Sequence, residues 1–160
     1  MKYAQKENSM KKVLALIFIS LQLSAVTCEI KSVTDIPFGA YDVFNFNDLD
    51  AQNKVVVRCK DSQAQTISVQ VQLSTGNGNS YTPRSMSNGS DTLNYNLYRN
   101  SNRTKVFGDG TSGTYTVTKK LKLKANKWKR FRKKIFGQIP AQQDVEVGLY
   151  TDTVVVTIVY

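Results

Sequence analysis

The chain has 160 residues, enough for one ordinary domain, a formal charge of +10, and no histidine. Without imidazole it lacks the commonest general base and the commonest transition-metal ligand, and two cysteines alone are a poor set for zinc or copper. Neither enzyme activity nor a cofactor is expected, whereas 41% apolar residues suffice for a packed core.

The N-terminal segment reads as a leader rather than part of the fold. In "MKKVLALIFISLQLSAVTC" the basic pair Lys11 and Lys12 precedes an apolar run from Val13 to Leu23, and the small residues Ser24, Ala25 and Thr27 come after it. That is the layout of a secretory signal peptide, and the run is short for a membrane span. Met10 is a natural start, which makes residues 1–9 an upstream extension; residues 1–27 are assigned to the signal peptide and 28–160 to the mature domain. Without residues 1–27, which hold Lys2, Lys6, Lys11 and Lys12 against Glu7, the charge falls from +10 to +7. "SAVTC" also has the order of a lipid-attachment site, which would use Cys28. An even cysteine count in an exported chain favours instead one disulfide between the two cysteines.

In chain order, "CEIKSVTDI" is a short strand candidate, Pro37 and Gly39 break the pattern after it, and "NKVVVRC" is a compact apolar run. "TISVQVQL" alternates cleanly, with Ile67, Val69, Val71 and Leu73 on one face and Ser68, Gln70 and Gln72 on the other, the pattern of a strand with one buried face. The stretch 74–91 holds Asn77-Gly78, Pro83 and Asn88-Gly89 and reads as loop and turn. "LNYNLYRN" is a short strand. "GDGTSG" lacks the Lys-Ser/Thr of a phosphate loop and reads as a β-turn. "TYTVTKKLKLK" alternates again, with Tyr115, Val117, Leu121 and Leu123 sharing a face on which Lys119 intrudes; "IFGQIPAQQDVEVG" is strand, proline turn and loop. Short strands at regular spacing with turn signals between them indicate an all-β sandwich.

Two stretches stand out. "KKLKLKANKWKRFRKK", 119–134, is densely basic without an acid. Its first half suits the exposed face of a strand; in its second half Trp128, Phe131 and Ile135 have helical spacing. Lys120, Lys122, Lys124, Lys127, Trp128, Lys129, Arg130, Phe131, Arg132, Lys133 and Lys134 are candidate contacts for an anionic surface or polysaccharide, with nucleic acid the less favoured polyanion. The plain alternative is a solvated loop whose lysines keep a sheet edge from pairing. The second stretch is "TDTVVVTIVY", where Val154, Val156, Ile158 and Tyr160 form an apolar face. A closed sandwich would cover it; a sheet short of one strand would take that strand from another chain.

Taken in order, "IPFGAYD", "VVVRC", "ISVQVQLSTG", "PRSM", "LNYNLYRN", "VFGDGTSGT", "IFGQIPAQQ" and "GLYTDTVVVTIVY" make the chain from Cys28 to Tyr160 resemble the spore coat protein U domain, the subunit domain of archaic chaperone–usher pili. The resemblance implies an incomplete immunoglobulin-like β-sandwich, Greek-key and antiparallel, lacking its last strand. A periplasmic chaperone, and later a neighbouring subunit, would supply that strand, with an outer-membrane usher carrying out the exchange. It also implies a Cys28–Cys59 disulfide and a route through the periplasm to the cell surface. Two departures are expected to matter. Little lies between the expected cleavage site and Cys28 to serve as a donor strand, which suggests a terminal position. The basic stretch is foreign to the family pattern, which keeps a stand-alone module binding anionic polymers or membrane surfaces as the alternative.

Overall fold

A computed structural model describes residues 25–160. The leader reading, residues 1–27, lies almost wholly outside the described residues. Eight strands are described: β1 (Thr27–Val33), β2 (Leu49–Lys60), β3 (Thr66–Leu73), β4 (Arg84–Ser87), β5 (Thr92–Tyr98), β6 (Val117–Lys122), β7 (Lys129–Ile139) and β8 (Val156–Val159). They form two antiparallel sheets, β1-β2-β7-β5-β4 and β6-β3-β8, packed as a sandwich.

The alternation in β3 works as its sequence implies. Val69, Val71 and Leu73 are buried, and they meet Val55 and Val57 of β2, Leu97 of β5, Leu121 of β6, and Ile135 and Ile139 of β7 in one core cluster. Each such side chain contributes roughly 1.5–3 kcal/mol by leaving water. β2 begins five residues earlier than the run "KVVVRC", because it pairs with β7 along its length, from Leu49↔Ile139 to Cys59↔Lys129. Tyr115 departs from the expected face. It is exposed, while Val117, Leu121 and Leu123 are buried.

Cys28 and Cys59 are disulfide-bonded directly across the β1–β2 ladder. The Cys28 sulfur is therefore committed, which overrides the lipid-attachment reading. Closing a loop of this length contributes on the order of 3–4 kcal/mol in the chain-entropy view.

The segment 74–91 is not all loop: it contains β4, a four-residue strand that pairs with β5 at Arg84↔Tyr95 and Met86↔Leu93. Arg84 is fully buried. Its guanidinium donates to the carbonyls of Ser74 (2.8 Å) and Phe107 (2.7 Å) and to Asn96 Oδ1 (2.9 Å), and it lies 5.0 Å from the Tyr81 ring. Burial pulls its pKa below the ordinary arginine value. One planar fork thus ties two loop segments, at Ser74 and Phe107, to Asn96 of β5.

The helical spacing after Lys124 does not form a helix. Asn126, at φ 57°, turns the chain from β6 in one sheet to β7 in the other, and Lys129–Ile139 is strand. The inward row of β7 is Phe131, Lys133, Ile135, Gly137 and Ile139. Lysine and glycine on that row hide the two-residue period, so helical spacing shows instead. Both exceptions have causes. The Lys133 ammonium donates to the Arg99 carbonyl at 2.6 Å. At Gly137 a Cβ would lie 2.6 Å from the Phe38 ring and 3.3 Å from Ile36, so the glycine makes room for that ring. Gly137→Ala is expected to displace Phe38 and cost about 1–3 kcal/mol, read by denaturant unfolding under non-reducing conditions; unchanged stability would show that the ring moves aside freely.

Candidate functional site

The segment 150–159 belongs to both sheets. Thr151 exchanges two backbone hydrogen bonds with Ser87, each 3.0 Å, at the end of β4. The chain then crosses over, and β8 pairs with β3 from Leu73↔Val156 to Gln70↔Val159. This shortens the expected terminal strand to Val156–Val159. The crossing is fixed by Asp152, whose carboxylate accepts from the Tyr95 hydroxyl (2.5 Å) and from the backbone N–H of Asn77 and Thr153 (2.7 Å each). Gly76, at φ +80°, lies against that carboxylate with no room for a Cβ. Burial, then the bond to Asp152, pushes the Tyr95 phenol far above its usual range, so it stays a donor.

β8 has one satisfied edge. Val155 faces β3: its carbonyl accepts from Ser74 N–H and its N–H donates to Ser74 Oγ, both at 2.9 Å. Backbone groups of successive residues in a strand point to opposite sides. Those of Val154, Val156 and Ile158 therefore point away from β3, where no strand pairs with β8 among the described residues. β1 lies on that side, but in the other sheet and hydrogen-bonded only to β2.

Between β8 and the stretch after β1 runs an apolar cleft. Its inner part, about 300 Å³, is walled by Ile36 and Phe38 on one side and Val154 and Val156 on the other, with Leu73 and Tyr95 among its lining residues. Phe38 meets the Tyr95 ring edge-on at 5.9 Å. Ile36, Phe38, Met86 and Tyr150 also line a wider end of about 650 Å³. Phe44, Phe46, Val147 and Leu149 are each at least 80% exposed, and all but Phe46 line that end.

The expected site residues divide accordingly. Val154, Val156 and Ile158 are half-buried against the core on one face, whereas Tyr160 is 56% exposed and lines no part of the cleft. The basic stretch is not one surface. Lys120, Lys122 and Lys124 belong to β6 and its end, an edge of the three-stranded sheet, and Lys127 lies in the turn after it. Lys129, Arg130, Arg132 and Lys134 lie on β7, inside the five-stranded sheet. Phe131 and Lys133 are half-buried on the inward row and leave the contact set. Trp128 joins β2 instead: the Arg58 guanidinium lies 4.3 Å and the Lys60 ammonium 5.2 Å from its ring.

A family model described as the Spore Coat Protein U domain matches residues 14–157. No curated protein matches the chain. Among solved structures, the chain is similar to the CsuC–CsuE chaperone–tip adhesion subunit pre-assembly complex from archaic chaperone–usher Csu pili of Acinetobacter baumannii. Identity is 21% and the TM-score 0.55, over 85% of this chain and 40% of that one. A chaperone–tip adhesin complex of CFA/I fimbriae biogenesis is matched at 11% identity and a TM-score of 0.41, over 83% of this chain and 41% of that one. The first likeness concerns the fold; the chain spans about two-fifths of the length of either structure.

Proposed function

The chain belongs to the Spore Coat Protein U domain family, and from that premise we propose that it is an exported structural subunit of a chaperone–usher pilus or surface assembly. Its cleft would accept an extended strand from another chain. The observation that carries this reading is the open edge of β8: apolar side chains at Val154, Val156 and Ile158, backbone groups on the same residues that no strand pairs among the described residues, and a cleft beside them. An incoming strand would meet those backbone groups with a ladder and fill the cleft with alternate apolar side chains, which is strand addition. A periplasmic chaperone would supply the first such strand and a neighbouring subunit the next, exchanged at an outer-membrane usher. The pairing of chaperone with tip subunit in the similar Acinetobacter structure fits this order. The route is export to the periplasm and then the cell surface.

We place the subunit at a terminal position in such an assembly. A leader cut near Ala25 or Thr27 would put the disulfide at the head of the mature chain, with Thr27 already in the β1 ladder. The mature protein would then accept a strand without giving one.

A synthetic peptide with apolar residues at alternate positions should raise the Tm of the exported chain by roughly 10 °C or more. Val156→Asp should remove the gain. No gain, or an equal gain in the variant, would count against the cleft. N-terminal sequencing of the exported protein tests the position: an end near residue 26 or 28 agrees with it, and a mature end before residue 15 would supply a donor segment and refute it.

A further inference from the structure

We propose that the outer face of the five-stranded sheet, at β2 and β7, binds a linear acidic polysaccharide through its carboxylates. This goes beyond strand acceptance and does not depend on it, because the face lies on the opposite side of the sheet from the core.

The inward rows of these strands are fixed by burial: Val55, Val57 and Cys59 on β2, and Ile135 and Ile139 on β7. Alternation then places Lys54, Arg58 and Lys60 on the outer face of β2, and Arg130, Arg132 and Lys134 on that of β7. The register sets Arg58 opposite Arg130 and Lys54 opposite Lys134. Like charges directly opposite each other destabilise a sheet; Glu29 of β1 and the Trp128 ring offset this at Arg58, while no ion pair does so at Lys54–Lys134 among the described residues. Arg130, Arg132 and Lys134 have no ion pair or side-chain hydrogen bond among the described residues. The sheet thus presents a line of charge along β7, with cations about 7 Å apart, beside Lys54, Arg58 and Lys60 of β2, whose outward row is interrupted by the buried Val56 opposite Arg132. A flat polymer with regularly spaced carboxylates fits such a line, and arginine forks grip carboxylates in bidentate fashion.

Two other polyanions fit less well. Single-stranded nucleic acid needs free aromatic faces on which bases stack, but Trp128 already carries the Arg58 guanidinium at 4.3 Å and the Lys60 ammonium at 5.2 Å. An anionic membrane calls for projecting apolar side chains. The most exposed of these, Phe44, Phe46, Val147 and Leu149, belong to the loops around the wide end of the cleft rather than to β2 or β7.

The test uses the exported chain, purified with any partner that co-elutes. Binding is measured to polygalacturonate, to neutral dextran, to single-stranded DNA and to phosphatidylglycerol vesicles. The triple variant Arg130→Gln, Arg132→Gln, Lys134→Gln is compared with Lys120→Gln, Lys122→Gln, Lys124→Gln, which removes equal charge from the other sheet. Polygalacturonate should bind in a salt-sensitive manner, dextran should not bind, and the first variant should lose roughly tenfold or more in affinity. The second variant should lose less than about a third of that on a logarithmic scale. The first variant should keep or exceed the parent's Tm, since it relieves like-charge pairs; a lower Tm would remove the strain argument and with it the proposal. Equal losses in both variants would reduce the effect to net charge. Tighter binding of DNA or vesicles than of polygalacturonate would overturn the choice of ligand.

Discussion

The structure turns on the hydrogen-bonding state of one strand edge. β8 delivers Val156 and Ile158 to the core and, among the described residues, is held by β3 on one side only. An exposed edge with apolar side chains is a template for another chain, and edges are normally blunted by charge or covered. The opposite edge of the same sheet is blunted: β6 carries Lys119, Lys120 and Lys122. The two edges of a three-stranded sheet are thus treated in opposite ways, one defended by charge and one left open.

Several features keep the open edge from closing on itself. β1 is the nearest strand, yet the Cys28–Cys59 bond and the ladder to β2 hold it in the other sheet. Beyond β1, Phe38 is seated over Gly137 and against Tyr95, which fixes one wall of the cleft. Asp152 gathers Tyr95, Asn77 and its own neighbour Thr153, which fixes the point where the chain leaves β4 for β3. Arg84 anchors the loops behind that crossing by donating to the carbonyls of Ser74 and Phe107. A cleft held open by its own frame spends less of a partner's binding energy on ordering.

Much of this was legible in the sequence, and the failures have physical causes. Strict alternation in 66–73 and the apolar face of 154–158 identified β3 and the open strand, because both have one wet and one dry side. The motifs "IPFG" and "IFGQ" were visible as separate patterns, but not that Phe38 occupies the space at Gly137, since packing across about a hundred residues leaves no local period. β4 was hidden by its length and by an arginine on its buried side. The second half of β7, Ile135–Ile139, reads as strand and is one; its first half shows helical spacing because Lys133 interrupts the inward row. Tyr160 extends the alternation of Val154, Val156 and Ile158 on paper, yet it lies beyond the last β3 partner and stands in solvent. The basic stretch looked continuous because sequence does not show that the turn at Asn126 moves the chain from one sheet to the other.

Residue-resolved amide hydrogen exchange tests the open edge most directly. In the exported chain free of partners, the amides of Thr157 and Val159, which face β3, should be protected. Those of Val154, Val156 and Ile158 should exchange at rates near those of an unstructured strand. On binding an extended partner strand, the same three amides should slow by orders of magnitude. Protection of Val156 and Ile158 already present in the free chain would mean that the edge is satisfied from within, and would contradict the strand-acceptor reading.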